Sequence, residues 1–115
     1  MSDLANKKCL PCTVETTPLR GDALKNFHGQ LSEGWNVVEE HHLERDYKFK
    51  DFKEALAFVN DLAALAEDEG HHPDIHLTWG KVQVTFWTHK IKGLSESDFV
   101  MAAKCDALYI SRKGP

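Results

Sequence analysis

The sequence predicts an α+β domain: a four-stranded antiparallel sheet with three helices on one face, in the order α-β-β-α-β-β-α. Three observations carry this expectation. WNVVEEHHLERDYKFK (35–50) and IHLTWGKVQVTFWT (75–88) alternate apolar and polar residues at the period of two that half-buried strands require, and each breaks at a turn. Three other stretches repeat apolar residues at helical spacing. Finally, the two hairpins are separated by a helix without long crossovers, which favours antiparallel pairing with the helices gathered on one side.

The elements follow in order. Residues 1–16 are polar, lack a hydrophobic period and read as a flexible arm, leaving 17–115 as the single domain. The arm's Cys9 and Cys12 form a lone CxxC, two ligands short of the four that structural zinc wants. Thr17 and Pro18 suit the N-cap and first position of a helix carrying Leu24, Phe27 and Leu31; Gly21 weakens it and Gly34 ends it. In the first hairpin Leu43, Arg45, Tyr47 and Phe49 share one face, opposite His42, Glu44, Asp46 and Lys48. Asp51 with Glu54 makes a capping box for the clearest helix, whose expected buried stripe is Phe52, Leu56, Val59, Leu62 or Ala63, and Ala66. Gly70 stops it. Glu67, Asp68 and Glu69 crowd its last turn, where the helix dipole disfavours negative charge, a local conflict of the kind that functional sites tolerate. The second hairpin turns at Gly80. There Val82, Val84 and Phe86 face one side, and Gln83, Thr85, Trp87 and His89 the other. Ser95 and Asp98 form a capping pair for a last helix with Val100, Ala103, Ala107 and Ile110 as its expected buried stripe.

Composition limits what such a domain does. The chain has 115 residues, 42% hydrophobic and 28% charged, as a one-core globular protein has. Its apolar runs are too short to span a bilayer, and no apolar leader opens the chain. Three cysteines cannot all pair internally, which suits a reducing compartment, so the expected location is cytoplasmic. A net charge of -4 without a basic stripe argues against direct nucleic-acid contact.

Chemistry concentrates at the histidines. Four of the seven lie between residues 67 and 89: His71, His72, His76 and His89. Imidazole titrates near neutrality and can both give and take a proton in one cycle. His71 and His72 follow a helix stop, and Pro73 keeps His72 extended, so the two rings point in different directions. His89 ends the strand paired with the segment just after them. A metal at HHxxxH is disfavoured, because it lacks the helical HExxH geometry and an obvious carboxylate ligand. His76 reads as a strand-surface residue, and His41 and His42 as a solvated turn.

Taken together, Glu67, His71-His72-Pro73, Trp79, His89, and Asp98 after Gly93-Leu94-Ser95 resemble the signature of the pterin-4a-carbinolamine dehydratase family. Gly34-Trp35 and YKFKDF extend the match over roughly residues 18 to 110. The resemblance implies the same α+β fold, assembly as homodimers or homotetramers, and dehydration of 4a-hydroxytetrahydropterin to quinonoid dihydropterin. That hydro-lyase step recycles the pterin cofactor of aromatic amino acid hydroxylases. It needs no metal, covalent nucleophile or organic cofactor, only proton transfer. By resemblance, His71, His72 and His89 are the catalytic set, with Glu67, Pro73, Trp87, Thr88 and Asp98 as substrate-side neighbours. Thr88 and Trp87 flank His89, and the indole is wide enough to stack on a pterin. The alternative function is a protein-binding module acting through dimerisation, since some members stabilise a dimeric transcription factor through a helical surface.

Overall fold

Backbone pairing between four short strands builds the scaffold. The computed structural model describes residues 18–31 and 34–113, so the polar arm, Cys9, Cys12 and the Thr17 cap lie outside the described residues. Along the chain come α1 (Gly21–His28), β1 (Asn36–Val38), β2 (His42–Lys48), α2 (Phe52–Glu69), β3 (Asp74–Thr78), β4 (Lys81–Phe86) and α3 (Glu96–Lys113). The sheet order is β1-β2-β4-β3 with every neighbour antiparallel, the α+β architecture expected from the pattern.

Register decides which residues the sheet buries. Leu43 pairs with Phe86, Arg45 with Val84 and Tyr47 with Val82. Ile75 and Leu77 extend that same face across β4. Leu43, Tyr47, Val82, Val84 and Phe86 are fully buried and join Phe58, Leu62, Phe99 and Met101 from the helices in one core. Each such side chain contributes about 1.5–3 kcal/mol of transfer free energy. The opposite face carries the pairs Glu44–Thr85, Asp46–Gln83 and Lys48–Lys81. Packing α2 against β3 and β4, and α3 against β2 and β4, covers the apolar face, and α1 rests on α3.

Three expectations are corrected. First, α1 starts at Gly21 and ends at Gly29, not at Pro18 and Gly34. The backbone N–H of Leu19 donates to Leu94 O at 2.8 Å, so this segment is held extended against the entry to α3 and cannot enter the helix. The Gly21 N–H then finds its acceptor in the Glu40 carboxylate, 3.0 Å away.

Second, α2 buries Leu62 and Ala66 and packs Val59 against the core as expected, but departs from the expected stripe in its first turns. Ala55, Phe58, Leu62 and Ala66 are buried, whereas Phe52 and Leu56 are 44% and 40% exposed. The buried row carries the Phe58 ring, which meets Tyr47 at 5.0 Å and Phe49 at 5.2 Å, partners in β2 and just after it that helical periodicity does not show. Its ends are as read: Glu54 N–H donates to Asp51 Oδ1 at 2.9 Å, and Gly70 sits at φ 67°.

Third, α3 buries Val100 but leaves Ala107 exposed and Ile110 66% exposed. Phe99 through Ala102 are all buried, since α1 covers the side of the helix that the sheet and α2 do not; Phe27 stacks on Phe99 at 5.5 Å. Further along, Cys105 and Asp106 face inward. Asp106 accepts hydrogen bonds from Trp35 Nε1 (3.0 Å), Arg45 Nη1 (2.9 Å) and the Tyr47 hydroxyl. An inward carboxylate is invisible to a hydrophobic period. Burial pushes the Tyr47 phenol well above its ordinary range and the Cys105 thiol up to about 12.

Candidate active site

Gly70 sets the position of the first histidine. In its left-handed conformation the chain reverses, and the N–H groups of Gly70 and His71 both bond to Ala66 O, closing the helix with a left-handed glycine cap. The His71 and His72 side chains then diverge, as extended neighbours do. That of His71 turns inward, 14% exposed, with its ring stacked near Phe86 (6.4 Å, 15°) and Nε2 2.6 Å from Asp98 Oδ1. That of His72 turns outward, 59% exposed, with Nε2 3.0 Å from Glu67 Oε2. Part of the acidic last turn of α2 is thereby explained, although an ion pair this exposed adds little stability.

Asp98 is the node of the arrangement. Its side chain is fully buried, a costly place for a carboxylate unless every lone pair is used. Oδ2 accepts the Ser95 N–H at 2.9 Å, which is the capping-box contact at the start of α3, and the Thr88 hydroxyl at 2.7 Å. The partial positive charge of the helix N-terminus favours the anion further. Oδ1 is left for His71. The residue read as a cap therefore caps the helix with one oxygen and holds an imidazole with the other.

Thr88 is fastened at its backbone too. Thr88 N–H donates to Gly93 O at 2.8 Å and Gly93 N–H to Thr88 O at 3.4 Å, pinching off the loop between them. Strand β4 thus ends at Phe86, not at His89 as the alternation implied. His89 opens a 3-10 turn (His89–Ile91) and is exposed. Its ring stacks on Trp87, with centroids 3.8 Å apart and planes at 27°. Hydrogen bonds thus join His71, Thr88 and Asp98; Glu67 holds His72; Trp87 holds His89; half-buried Pro73 leads into β3. Trp79 lies at the hairpin tip, 68% exposed, and Trp35 is core.

Sequence reasoning missed His41 and His42. The His41 ring lies 4.4 Å from Trp87, and its Nδ1 is 3.1 Å from that of His42. The signal was the pairing of Leu43 with Phe86, which brings the start of β2 beside the end of β4, but β2–β4 pairing is non-local and no periodicity reveals it.

Chemically, the arrangement offers an imidazole held at one nitrogen by a carboxylate. With Asp98 accepting at Nε2–H, the neutral His71 ring presents a lone pair at Nδ1, and its imidazolium would be held by the carboxylate behind it. Among the described residues no group of three or more His, Cys, Asp or Glu is arranged to hold a metal ion. No helix there is long and apolar enough to cross a membrane.

Comparison with known proteins agrees in sequence and in shape. Residues 17–108 match the family described as pterin 4 alpha carbinolamine dehydratase. A relative from Alkaliphilus metalliredigens, provisionally named pterin-4-alpha-carbinolamine dehydratase, is 59% identical over 92% of this chain and 96% of its own. A second so named, from Rubrobacter xylanophilus, is 54% identical over 94% of this chain and all of its own. The crystal structure of a transcriptional coactivator/pterin dehydratase from Brucella melitensis superposes with a TM-score of 0.76 at 33% identity, covering 82% of this chain and 100% of that one. A pterin dehydratase-like protein described as a RuBisCO assembly factor in the alpha-carboxysome gives 0.59 at 28% identity, covering 67% and 90%.

Proposed function

This chain belongs to the pterin 4 alpha carbinolamine dehydratase family, and from that premise we propose that it dehydrates 4a-hydroxytetrahydropterin to quinonoid dihydropterin by histidine acid–base catalysis. The observation that carries the reading is the buried Asp98 carboxylate fixing the His71 ring from behind. Loss of water from the substrate breaks the C4a–O bond, delivers a proton to the departing hydroxyl and removes one from N5. His71, with Nδ1 unencumbered, serves one of these transfers. In this reading His72 and His89, both exposed, serve the other, and no atom in this balance requires a metal. In a cell this step would return the cofactor of an aromatic amino acid hydroxylase to its recycling route.

A second reading rests on α2. Phe52 and Leu56 are exposed on one side of that helix, which suits a homodimer or homotetramer contact or a protein-binding role such as that of the Brucella transcriptional coactivator/pterin dehydratase. Turnover separates the two. The wild type accelerates dehydration of chemically prepared 4a-hydroxytetrahydropterin over the spontaneous rate, and the His71/His72/His89 triple alanine variant loses that acceleration. A wild type no faster than the spontaneous rate leaves only the binding role, and equal acceleration by both proteins removes the three histidines from the mechanism.

A further inference from the structure

We propose that Trp87 and His41 are positioning residues for His89: together they form a row of ring contacts that presents its imidazole to the substrate. The inference rests on the dehydratase reading and extends it to two residues outside the histidine set.

His89 has an exposed side chain on a 3-10 turn, where an imidazole would ordinarily sample several rotamers. Its contact is the Trp87 ring at 3.8 Å and 27°, near-parallel stacking that leaves the ring edge, with both nitrogens, free to meet a ligand. The indole has a second ring neighbour: His41 lies 4.4 Å from it, tilted at 41°, and the His41 and His42 Nδ1 atoms are 3.1 Å apart, within hydrogen-bond distance. The row therefore runs from the β1–β2 turn to the turn after β4, across strands that are not neighbours in sequence.

The turn that supplies His41 is built against its residue preferences. Glu39 and Glu40 both sit at positive φ (53° and 54°), with His41 N–H bonded to Val38 O at 2.9 Å. Hairpin turns of this hand ordinarily use Asn or Gly. Backbone in this region is kept where the surroundings demand it, often at functional sites. Here a longer, relaxed turn would carry His41 away from the indole. With His89 stacked on the indole and His41 also against it, Trp87 acts through His89 and not as a platform for the pterin.

The test uses the full chain and the variants Trp87→Ser, Trp87→Phe and His41→Ala. The ring signals of His89 in proton–carbon NMR are expected upfield, under the indole ring current, with those of His71 as the internal measure of an intact fold. Trp87→Ser returns the His89 signals to unstacked positions and lowers kcat about 2- to 12-fold, the equilibrium value of one aromatic pair, with KM unchanged. Trp87→Phe restores most of kcat. His41→Ala moves both readouts in the same direction by less, and it stands in if Trp87→Ser does not fold. Unshifted His89 signals, or a folded Trp87→Ser with wild-type kcat, overturns the proposal. So does a raised KM at constant kcat, which would make Trp87 a pterin contact. Absence of turnover in the wild type would sink the dehydratase reading and the positioning role with it, whereas turnover insensitive to Trp87 sinks only the latter.

Discussion

Replacing Asp98 by asparagine tests the site at its node. Oδ2 accepts from Ser95 N–H (2.9 Å) and Thr88 Oγ1 (2.7 Å), so the new side chain must direct its carbonyl oxygen there. The amide NH2 is then forced toward His71 Nε2, 2.6 Å from the present oxygen. An NH2 group only donates, so Nε2 becomes the acceptor and the ring proton moves to Nδ1, the nitrogen that the mechanism needs bare. Folding should survive: two acceptor contacts persist, and exchanging charge-assisted for neutral hydrogen bonds costs about 1–3 kcal/mol in all. Catalysis should not. Misplacing one acid–base group costs roughly 10²–10⁴ in rate, or about 3–5 kcal/mol of barrier. Stopped-flow absorbance of 4a-hydroxytetrahydropterin decay measures it, down to the floor set by spontaneous dehydration. Long-range proton–nitrogen NMR reads the tautomer directly. Full turnover from a folded variant whose tautomer has flipped would refute the role given to His71; an unflipped tautomer would refute the hydrogen-bond argument itself.

Two further outcomes are expected. His76→Ala keeps near-normal kcat while His72→Ala loses it substantially; His76 is exposed on β3, facing away from the core, so equal damage in two folded proteins would relocate the site. Stability should also fall at high pH. The Cys105 thiol ionises near 9.0 when unfolded and is pushed up to about 12 by burial, so the folded state retains a proton that the unfolded state has lost. The contribution is fully present below pH 9 and declines by about 1.4 kcal/mol per unit as pH rises toward 12. Urea midpoints from pH 8 to 10.5 should show a shallower decline in Cys105→Ala, whatever its absolute stability, and an unchanged slope would contradict the burial argument.

Legibility of the sequence tracked the range of the interaction concerned. The two hairpins and the ends of α2 depend on neighbours within a few residues: alternation at 82–86, the Asp51–Glu54 cap, the Gly70 stop. These were readable. Misreadings arose where a distant partner outbid a local preference. Leu19 is taken out of α1 by Leu94, and the inward face of α3 is set by Asp106, whose partners Trp35, Arg45 and Tyr47 lie 59 to 71 residues away. At the site, the capping role of Asp98 is local and was anticipated. Its bond to His71 spans 27 residues and was not, nor was the approach of His41 to Trp87.

The two inward carboxylates of α3 have a joint consequence. Asp98 and Asp106 stand eight residues apart, about 12 Å along the helix axis, and each is gripped by side chains from elsewhere in the fold. One anchor would leave the helix able to pivot; two make it a ruler laid between the strand interior and the loop ends. A shift by a single residue step, about 1.5 Å, would break both sets of bonds at once. The His71 imidazole is therefore surveyed from a distance: the cluster of Trp35, Arg45 and Tyr47 fixes one end of the rod whose other end locates that ring.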